Sequence, residues 1–372
     1  GLTSSHIICL TFVADFINQT KILIMKKYLL TVITAFGLAI QAFSQVFFEN
    51  VTFTGALPVS GTSYTARIAG GFTETFANGD WTSDWTNFYP QLTSYPAGTE
   101  VIQGDITADR TISTNAILRG TVHVKNGATL TINAGTVIRC ESGSSLLITK
   151  GSKINAVGTR QSPIVFTSSK DAGQRAPGDW AGILLIGNSQ VNTASGKRQY
   201  EALPNDPLAE YGGGRGSELN LDDNSGEMRF VRIEYAGYNY LPDQELNGLT
   251  FGAVGKGTRV NFVQVSYARD DSFEWFGGTS DHKYLVAFGG VDDDFDMDEG
   301  YNGKVQFILG IRDPQVFETA AGGTSNGFEH DNNTGLGSAS AVVPGNNNPT
   351  PNTAPLISNA TMIGPWVNGA PT

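Results

Sequence analysis

Two stretches of the chain, DDSFEWFGG at residues 270–278 and DDDFDMDEG at residues 292–300, align without a gap at a shift of 22 residues. The stretch NGLTF at 247–251 falls in the same frame 24 residues earlier, and NGFEHD at 326–331 continues it 33 residues later. A repeat of this length that carries one short apolar run per copy is typical of a solenoid built from stacked coils.

Short apolar runs also precede this repeat, separated by Gly, Asn, Asp and Ser. Every third run returns after one coil, as from Val122 to Leu147, which are 25 residues apart. An antiparallel sandwich would also have short strands at even spacing, but it does not require a period of three strands. We therefore predict an all-β fold, a right-handed parallel β-helix over residues 105–372, interrupted by a loop insertion at about 193–226.

Seven stretches touch most of residues 118–303: GATLTINAGTVI (127–138), SPIVFTSS (162–169), GDWAGILLIG (178–187), DNSGEMRFVRIEYAGY (223–238), ELNGLTFGAVGKGT (245–258), DDSFEWFGG (270–278) and DDDFDMDEGYNG (292–303). In these stretches the chain resembles a family of secreted right-handed parallel β-helix proteins that are common in Bacteroidota and occur in some marine Gammaproteobacteria. The resemblance implies an exported surface protein, often one that carries a C-terminal sorting domain for type IX secretion, and it supplies no established reaction.

Residues 25–44 have the pattern of a secretory signal peptide. Met25 is followed by two lysines, an apolar stretch and a small-x-small cleavage site. We expect residues 1–24 to be upstream sequence outside the native product. A membrane anchor formed from residues 7–40 is the less favoured alternative, because charged residues interrupt that stretch. The mature chain is thus predicted to be secreted or held at the cell surface, without a membrane span.

Residues 45–104 lack the spacing of the coils and contain clustered aromatic side chains. We expect them to form an N-terminal cap, because an open first coil would expose unpaired strand edges and core. In the alternative interpretation they form an aromatic platform for sugar rings, with Trp81 and Trp85 as ligand-binding residues. The chain stops at Thr372 without a sorting domain, so we expect the β-helix to be truncated at its C-terminus.

The composition limits the partners and the covalent chemistry. The chain has 24 Lys and Arg against 35 Asp and Glu, a net charge of −11. The part after residue 44 keeps 21 against 34, or −13. Binding to nucleic acid is therefore not expected. That part has a single cysteine, Cys140, so it has no intrachain disulfide and must be stabilised by a large apolar core.

Residues 270–299 contain ten acidic residues and only one basic residue, Lys283. Side chains alternate between the two sides of a strand. If Phe273 and Phe295 point inward, the acids that directly follow them, Glu274 and Asp296, are predicted to point outward. Stacking of the repeats then gives two outward columns: Glu274–Asp296–Glu329 and Phe276–Asp298–Asp331.

Stacked carboxylates repel one another, and this repulsion suggests a cation site. At a strand spacing of about 4.8 Å, two full charges cost about 1 kcal/mol in water and about 3.5 kcal/mol at an effective dielectric constant near 20. Bound Ca²⁺, protonation or splaying of the side chains into solvent would relieve this cost. In the competing interpretation the acids form a solvated face, with the Asp pairs at 270–271 and 292–293 as turn residues. The predicted ligands are Glu274, Asp294, Asp296, Asp298, Glu329 and Asp331.

The same carboxyls could serve catalysis. A hydrolase needs one protonated and one ionised acid, and a lyase needs Ca²⁺ together with a basic residue. His282 and His330 are candidates to assist proton transfer. The candidate catalytic residues are Glu274, Asp296, Asp298, Glu329 and Asp331.

The sequence therefore predicts a secreted, non-enzymatic β-helix protein of the cell surface that binds a polysaccharide or a cell-surface glycan, with Ca²⁺ as the only expected cofactor. The first alternative is a polysaccharide lyase or glycoside hydrolase that uses the acidic patch. The second is a structural stalk that displays another module.

Overall fold

The computed structural model describes residues 64–68, 71–76, 79–241, 244–319, 324–332 and 350–365. The predicted upstream segment, the predicted signal peptide and residues 45–63 lie outside these ranges. The chain divides into two compact units at residue 83. In the first unit, strands β1 (Tyr64–Arg67) and β2 (Thr73–Phe76) form an antiparallel pair.

The second unit consists almost entirely of short strands, with 3₁₀ helices at Pro90–Leu92 and Pro207–Ala209. No helix in the described ranges has the length and apolar character that a membrane span requires. The strands are β3 (Glu100–Gln103), β4 (Arg110–Ile112), β5 (Ala116–Arg119), β6 (Thr121–Val124), β7 (Thr129–Ile132), β8 (Val137–Cys140), β9 (Ser145–Ile148), β10 (Lys153–Val157), β11 (Ile164–Ser168), β12 (Gly182–Ile186), β13 (Arg198–Gln199), β14 (Glu210–Tyr211), β15 (Gly226–Glu234), β16 (Asn239–Leu241), β17 (Gln244–Glu245), β18 (Leu249–Gly252), β19 (Arg259–Ser266), β20 (Phe273–Phe276), β21 (His282–Phe288), β22 (Phe295–Asp298), β23 (Lys304–Ile311), β24 (Phe328–Glu329) and β25 (Leu356–Ile363).

Apart from two short antiparallel pairs, β13–β14 and β16–β17, the strands stack in parallel and form three faces of a β-helix, as the sequence predicts. Face 1 is the sheet β6-β9-β12-β18-β20-β22-β24. Face 2 begins with β4, β7 and β10, and face 3 begins with β3, β5, β8 and β11. From β15 onward one long strand per coil supplies both face 2 and face 3, because β15 pairs with β10 through its first half and with β11 through its second half.

A single residue in a left-handed conformation bends each long strand at the corner between faces 2 and 3. Phe230, Phe262, Tyr284 and Phe307 have φ values of 51°, 55°, 61° and 58°. Such values are uncommon for residues other than glycine. The four rings stack on one another outside the coil, with centroids 4.6, 4.3 and 4.9 Å apart. These stacking contacts stabilise the corner against the conformational strain.

One continuous apolar core fills the interior of the coils. Phe273, Phe295 and Phe328 form the predicted row, with ring centroids 5.4 and 5.7 Å apart. Trp275 stacks on Phe251 at 4.9 Å in the same interior. The 22-residue repeat therefore predicts correctly which side chains point inward.

Residues 84–99 run along face 3. Asn87 exchanges hydrogen bonds with Gln264, and the Tyr95 hydroxyl donates to Glu234 at 2.7 Å. At the far end the Thr99 N–H donates to the carbonyl of Asn115. This part of the predicted cap region therefore covers a lateral face across several coils.

His282 is a core residue, so the expectation that it assists proton transfer at the surface is wrong. Nδ1 lies 3.2 Å from the carbonyl oxygen of Val260, which can only accept, and Nε2 lies 2.8 Å from the hydroxyl of Ser280. Burial lowers the pKa of His282 to about 3, so the ring is neutral near pH 7.

We expect Phe295→Ala to lower the free energy of unfolding by about 3–5 kcal/mol, because it removes the middle ring of the Phe row and leaves a cavity. Phe317→Ala, at a position that is 55% exposed, should change it by less than about 0.5 kcal/mol. Chemical denaturation measures both. Equal effects of the two variants would contradict the row.

The second prediction concerns pH. His282 binds a proton in the unfolded chain below its ordinary pKa of 6.5 but stays neutral in the folded protein down to about 3. Its contribution to stability is therefore complete above pH 6.5 and is lost as the pH falls toward 3. Relative to His282→Gln, which does not titrate, the wild type should lose up to about 3 kcal/mol of unfolding free energy between pH 7 and pH 4. A difference that is constant with pH would refute this assignment.

Candidate functional site

The strand register builds the acidic columns that the sequence predicts on face 1. Glu274 of β20 is in register with Asp296 of β22, which is in register with Glu329 of β24. Beside them Phe276 is in register with Asp298. The N–H of Asp331 donates to Asp298 Oδ1 at 2.9 Å, which places Asp331 above Asp298.

These columns do not form the solvent-facing wall that we expected. Glu274, Asp296 and Asp298 are only 6%, 8% and 2% exposed. Residues 187–225, hereafter the insertion, lie over face 1 and form a second apolar cluster with its outward side chains. The members of this cluster are Leu147, Ala181, Leu184, Ile186, Val191, Tyr200, Ala202, Ala209, Tyr211, Leu246, Ala253 and Phe276.

Polar contacts attach the insertion at both ends of the face. At the acidic end, Arg198 pairs with the fully buried Glu299, whose Oε2 also accepts from the Tyr211 hydroxyl at 2.8 Å. At the other end, Asp206 Oδ2 lies 2.6 Å from Nε2 of His123 on β6. The insertion therefore spans face 1 along the axis of the helix.

A ladder of side chains closes the turn that leads into face 1. Asn247 Oδ1 accepts from the N–H of Asp271 at 3.2 Å. Asp271 Oδ1 accepts from the N–H of Asp293 at 2.9 Å, and Asp293 Oδ1 accepts from the N–H of Asn326 at 2.5 Å. Each side chain thus satisfies the backbone of the next coil, which explains why Asn or Asp recurs at this position in the repeat.

Asp294, one of the predicted metal ligands, has a different partner. Its Oδ1 lies 3.0 Å from Nη1 of Arg312, and the same guanidinium donates to the carbonyl of Asp292. Burial raises the pKa of Asp294 to about 6, although the arginine opposes that rise. Asp294 therefore lies in an ion pair, apart from the two columns.

The remaining buried carboxyls raise one another's pKa. Burial, followed by repulsion from Glu329, raises the pKa of Asp296 to about 8. Burial and the nearby Asp296 raise the pKa of Asp298 to about 9. The pKa values of Glu274 and Asp271 are also raised, mainly by burial.

Three of these carboxyls converge. Carboxylate oxygens of Asp271, Glu274 and Asp296 all lie within 4.8 Å of one another, and a second such group joins Asp271 to Asp270 and Asp292. The sequence interpretation treated Asp271 only as a turn residue and so missed it. Asp271 lies three residues before Glu274, but this spacing predicts that the two carboxyls converge only if the conformation of the turn between them is known.

Glu329 and Asp331 occupy the exposed end of the columns. A hydrogen bond with Asp293, together with burial, raises the pKa of Glu329 to about 7. The structure thus brings five of the six predicted acidic site residues, all except Asp294, together on one face, with Glu274 and Asp298 deepest and Glu329 and Asp331 nearest to solvent.

The two tryptophans of the predicted sugar platform belong to different units and differ in exposure. Trp85 is fully buried, with its ring edge-on to Phe230 and Phe262 at 5.9 and 6.0 Å. The expectation that it stacks on a sugar is therefore corrected, because no face of its ring is accessible. Trp81 belongs to the first unit and is partly exposed.

A groove of about 320 Å³ lies on face 2, away from the acidic columns, and we call it the lateral groove. Its floor includes Gly226, where a side chain would collide with the carbonyl of Ile154 at 1.9 Å, so the backbones there approach closely. The sequence contains no motif that marks it. The lining residues are Thr129, Lys153, Ile154, Asn155, Asn224, Gly226, Glu227, Gly257 and Arg259.

Comparison with known proteins identifies the domain but no near relative. The family model described as "Pectate-lyase like beta helix domain" matches residues 102–370. No curated protein and no solved structure matches the chain.

We expect Arg198→Ala to lower the free energy of unfolding by about 3–5 kcal/mol, because it leaves the Glu299 carboxylate buried without its charged partner. The neighbouring Lys197→Ala removes a surface pair with Glu218 and should cost less than about 1 kcal/mol. Denaturant titration of both variants measures the difference. Comparable losses would show that the buried pair does not hold the insertion.

Proposed function

The chain belongs to the pectate-lyase-like β-helix family, and on that premise we propose that it is a non-enzymatic, polysaccharide-binding protein that contacts its glycan through the lateral groove. The observation that carries this proposal is an open groove with a polar lining on face 2, where Asn224 is the only lining residue that the insertion contributes.

The lining of the groove suits a polyhydroxylated ligand. The amides of Asn155 and Asn224 offer donors and acceptors, and Glu227 offers acceptors. In the described part of the chain, the side chains of Lys153 and Arg259 have no hydrogen-bond or ion-pair partner, so their donors are available to a ligand. Hydroxyl groups of a sugar can satisfy all of these groups at once.

The charges along face 2 favour a neutral or mixed-charge glycan. Glu227 is in register with Arg259, and the next two coils carry Asp281 and Lys304 at the same place. Acid and base therefore alternate at the coil spacing of about 4.8 Å. This regular repeat along the helix axis suits a partner that is itself repetitive.

The lyase or hydrolase alternative is less well supported by the acidic face. A sugar would have to reach Glu274 and Asp296, which lie beneath the insertion and are at least nine-tenths buried. Fold membership by itself does not establish a reaction. A stalk without any ligand is the remaining alternative.

An exported, cell-surface location fits this proposal, since that is where a polysaccharide partner would be met. It depends on the signal peptide that the sequence predicts at residues 25–44. The single cysteine of the remaining chain, Cys140, is buried and free, so the described fold depends on no disulfide.

We expect the protein to be retained on at least one immobilised polysaccharide of a broad panel, with Asn155→Ala and Arg259→Ala each weakening binding by about tenfold, a loss of about 1.4 kcal/mol. Matched controls on face 3 are Gln103→Ala and Arg119→Ala, which should bind like the wild type. Trp81→Ala tests the remaining residue of the aromatic platform.

The panel also separates the alternatives. New reducing ends or unsaturated products would replace the binding proposal with an enzyme. Absence of retention on every polysaccharide would favour the stalk. Equal losses in the face 2 and face 3 variants would remove the lateral groove as the contact surface.

A further inference from the structure

Seven carboxyls are buried at or beside the acidic columns, and they fall into two groups. Asp294 and Glu299 each pair with an arginine. The other five, Asp271, Glu274, Asp293, Asp296 and Asp298, have no ion-pair partner among the described residues. Their exposed fractions are all 8% or less.

Hydrogen bonds account for four of these five unpaired carboxyls, including Asp293, which accepts from the N–H of Asn326. Asp271 and Asp298 each accept a backbone N–H, and Glu274 accepts from the amide of Asn247. Asp296 differs: the N–H of Met297 donates to its carboxyl, but one of the two oxygens, Oδ1, is buried without a hydrogen-bond partner. A buried carboxylate oxygen without a partner is costly, so its position calls for a ligand.

The carboxyl that carries this unpartnered oxygen belongs to a converging set of donors. The oxygens of Asp271, Glu274 and Asp296 come within 4.8 Å of one another. Calcium binds oxygens at 2.3–2.6 Å, so two ligands of one ion lie at most about 5 Å apart. We propose that Asp271, Glu274 and Asp296 together bind one Ca²⁺ ion beneath the insertion.

The donor chemistry selects the type of ion. All three donors are hard carboxylate oxygens, and the group contains neither the cysteine nor the histidine that zinc prefers. Mg²⁺ demands near-ideal octahedral geometry at about 2.0–2.1 Å and keeps several waters, whereas Ca²⁺ accepts an irregular set of oxygens. The three carboxyls come from a turn and two strands and form an irregular set of oxygens, which favours Ca²⁺ over Mg²⁺.

The proposed ion would join three parts of the chain. Asp271 lies in the turn before β20, Glu274 lies on β20, and Asp296 lies on the next coil. Asn247, which holds Glu274, is also 3.4 Å from the hydroxyl of Tyr200 in the insertion. Calcium would thus stabilise the last coils and the seat of the insertion together.

This inference is independent of the glycan proposal, because the ion site lies on face 1 and the lateral groove on face 2. Calcium binding and polysaccharide retention are measured separately. Either result can therefore fail without the other.

The first test uses the full chain after removal of metal with EDTA and dialysis. We expect titration calorimetry with CaCl₂ to give one site per chain with a dissociation constant of about 10⁻³ M or tighter, and Ca²⁺ to raise the melting temperature. MgCl₂ should bind more weakly. Absence of Ca²⁺ binding up to about 10 mM would overturn the proposal whatever the variants do.

The second test compares isosteric variants that each remove one charge. We expect Asp296→Asn and Glu274→Gln each to weaken Ca²⁺ binding by about 10–100-fold or more. Asp298→Asn is the matched control, because it removes a charge from the same patch but keeps the acceptor for Asp331. It should weaken binding by less than about tenfold.

Circular dichroism and the metal-free melting temperature check that each variant is folded. Neutralising one of several crowded carboxyls should leave the metal-free protein at least as stable as the wild type. Two ligand variants that bind Ca²⁺ as tightly as the Asp298→Asn control would show that the acidic patch attracts the ion only in a diffuse way and would refute the site.

Discussion

The hydrogen bonds between successive coils are the constraint on which the rest of this structure depends. They fix each coil at about 4.8 Å from the next and in a strict register, so residues at equivalent positions of the repeat lie one above the other. For Phe273 and Phe295 this geometry is favourable, because their rings stack inside the core. For Glu274 and Asp296, one position further along the same strands, it brings two carboxyls together.

Burial increases the repulsion between the stacked carboxyls of Glu274 and Asp296. The insertion excludes water from face 1, and repulsion between charges grows as the local dielectric constant falls. The chain offsets part of the cost with Arg198 and Arg312, each of which neutralises one carboxyl. The other carboxyls respond through raised pKa values, as at Asp298. Carboxyls on a solvated face would need neither paired arginines nor raised pKa values. Arg198 and Arg312 therefore compensate for the burial that the insertion imposes on face 1.

The repeat was sufficient to predict the fold, the inward rows and the membership of the acidic columns, since register follows directly from sequence spacing. Three features were not predictable in this way. The burial of Glu274 depends on the insertion, which has no period. The convergence of Asp271 with the columns depends on a turn conformation. The burial of Trp85 depends on a segment that runs along face 3, where its ring meets the bent corner of the long strands.

The hydrophobic pattern of the strands nevertheless indicates that another part of the chain lies over face 1. On face 2, strand β7 reads TLTI and alternates between outward polar and inward apolar residues, as expected where one side meets solvent. On face 1, β9 ends in LLI and β12 reads GILLI, so their outward positions are also apolar. Outward Leu147 and Leu184 could be stable only beneath another part of the chain, and the insertion supplies it. Further along face 1 the outward residues change from leucine to acid, and Glu274 and Asp296 are buried there as well. The groove with accessible polar side chains therefore lies on face 2.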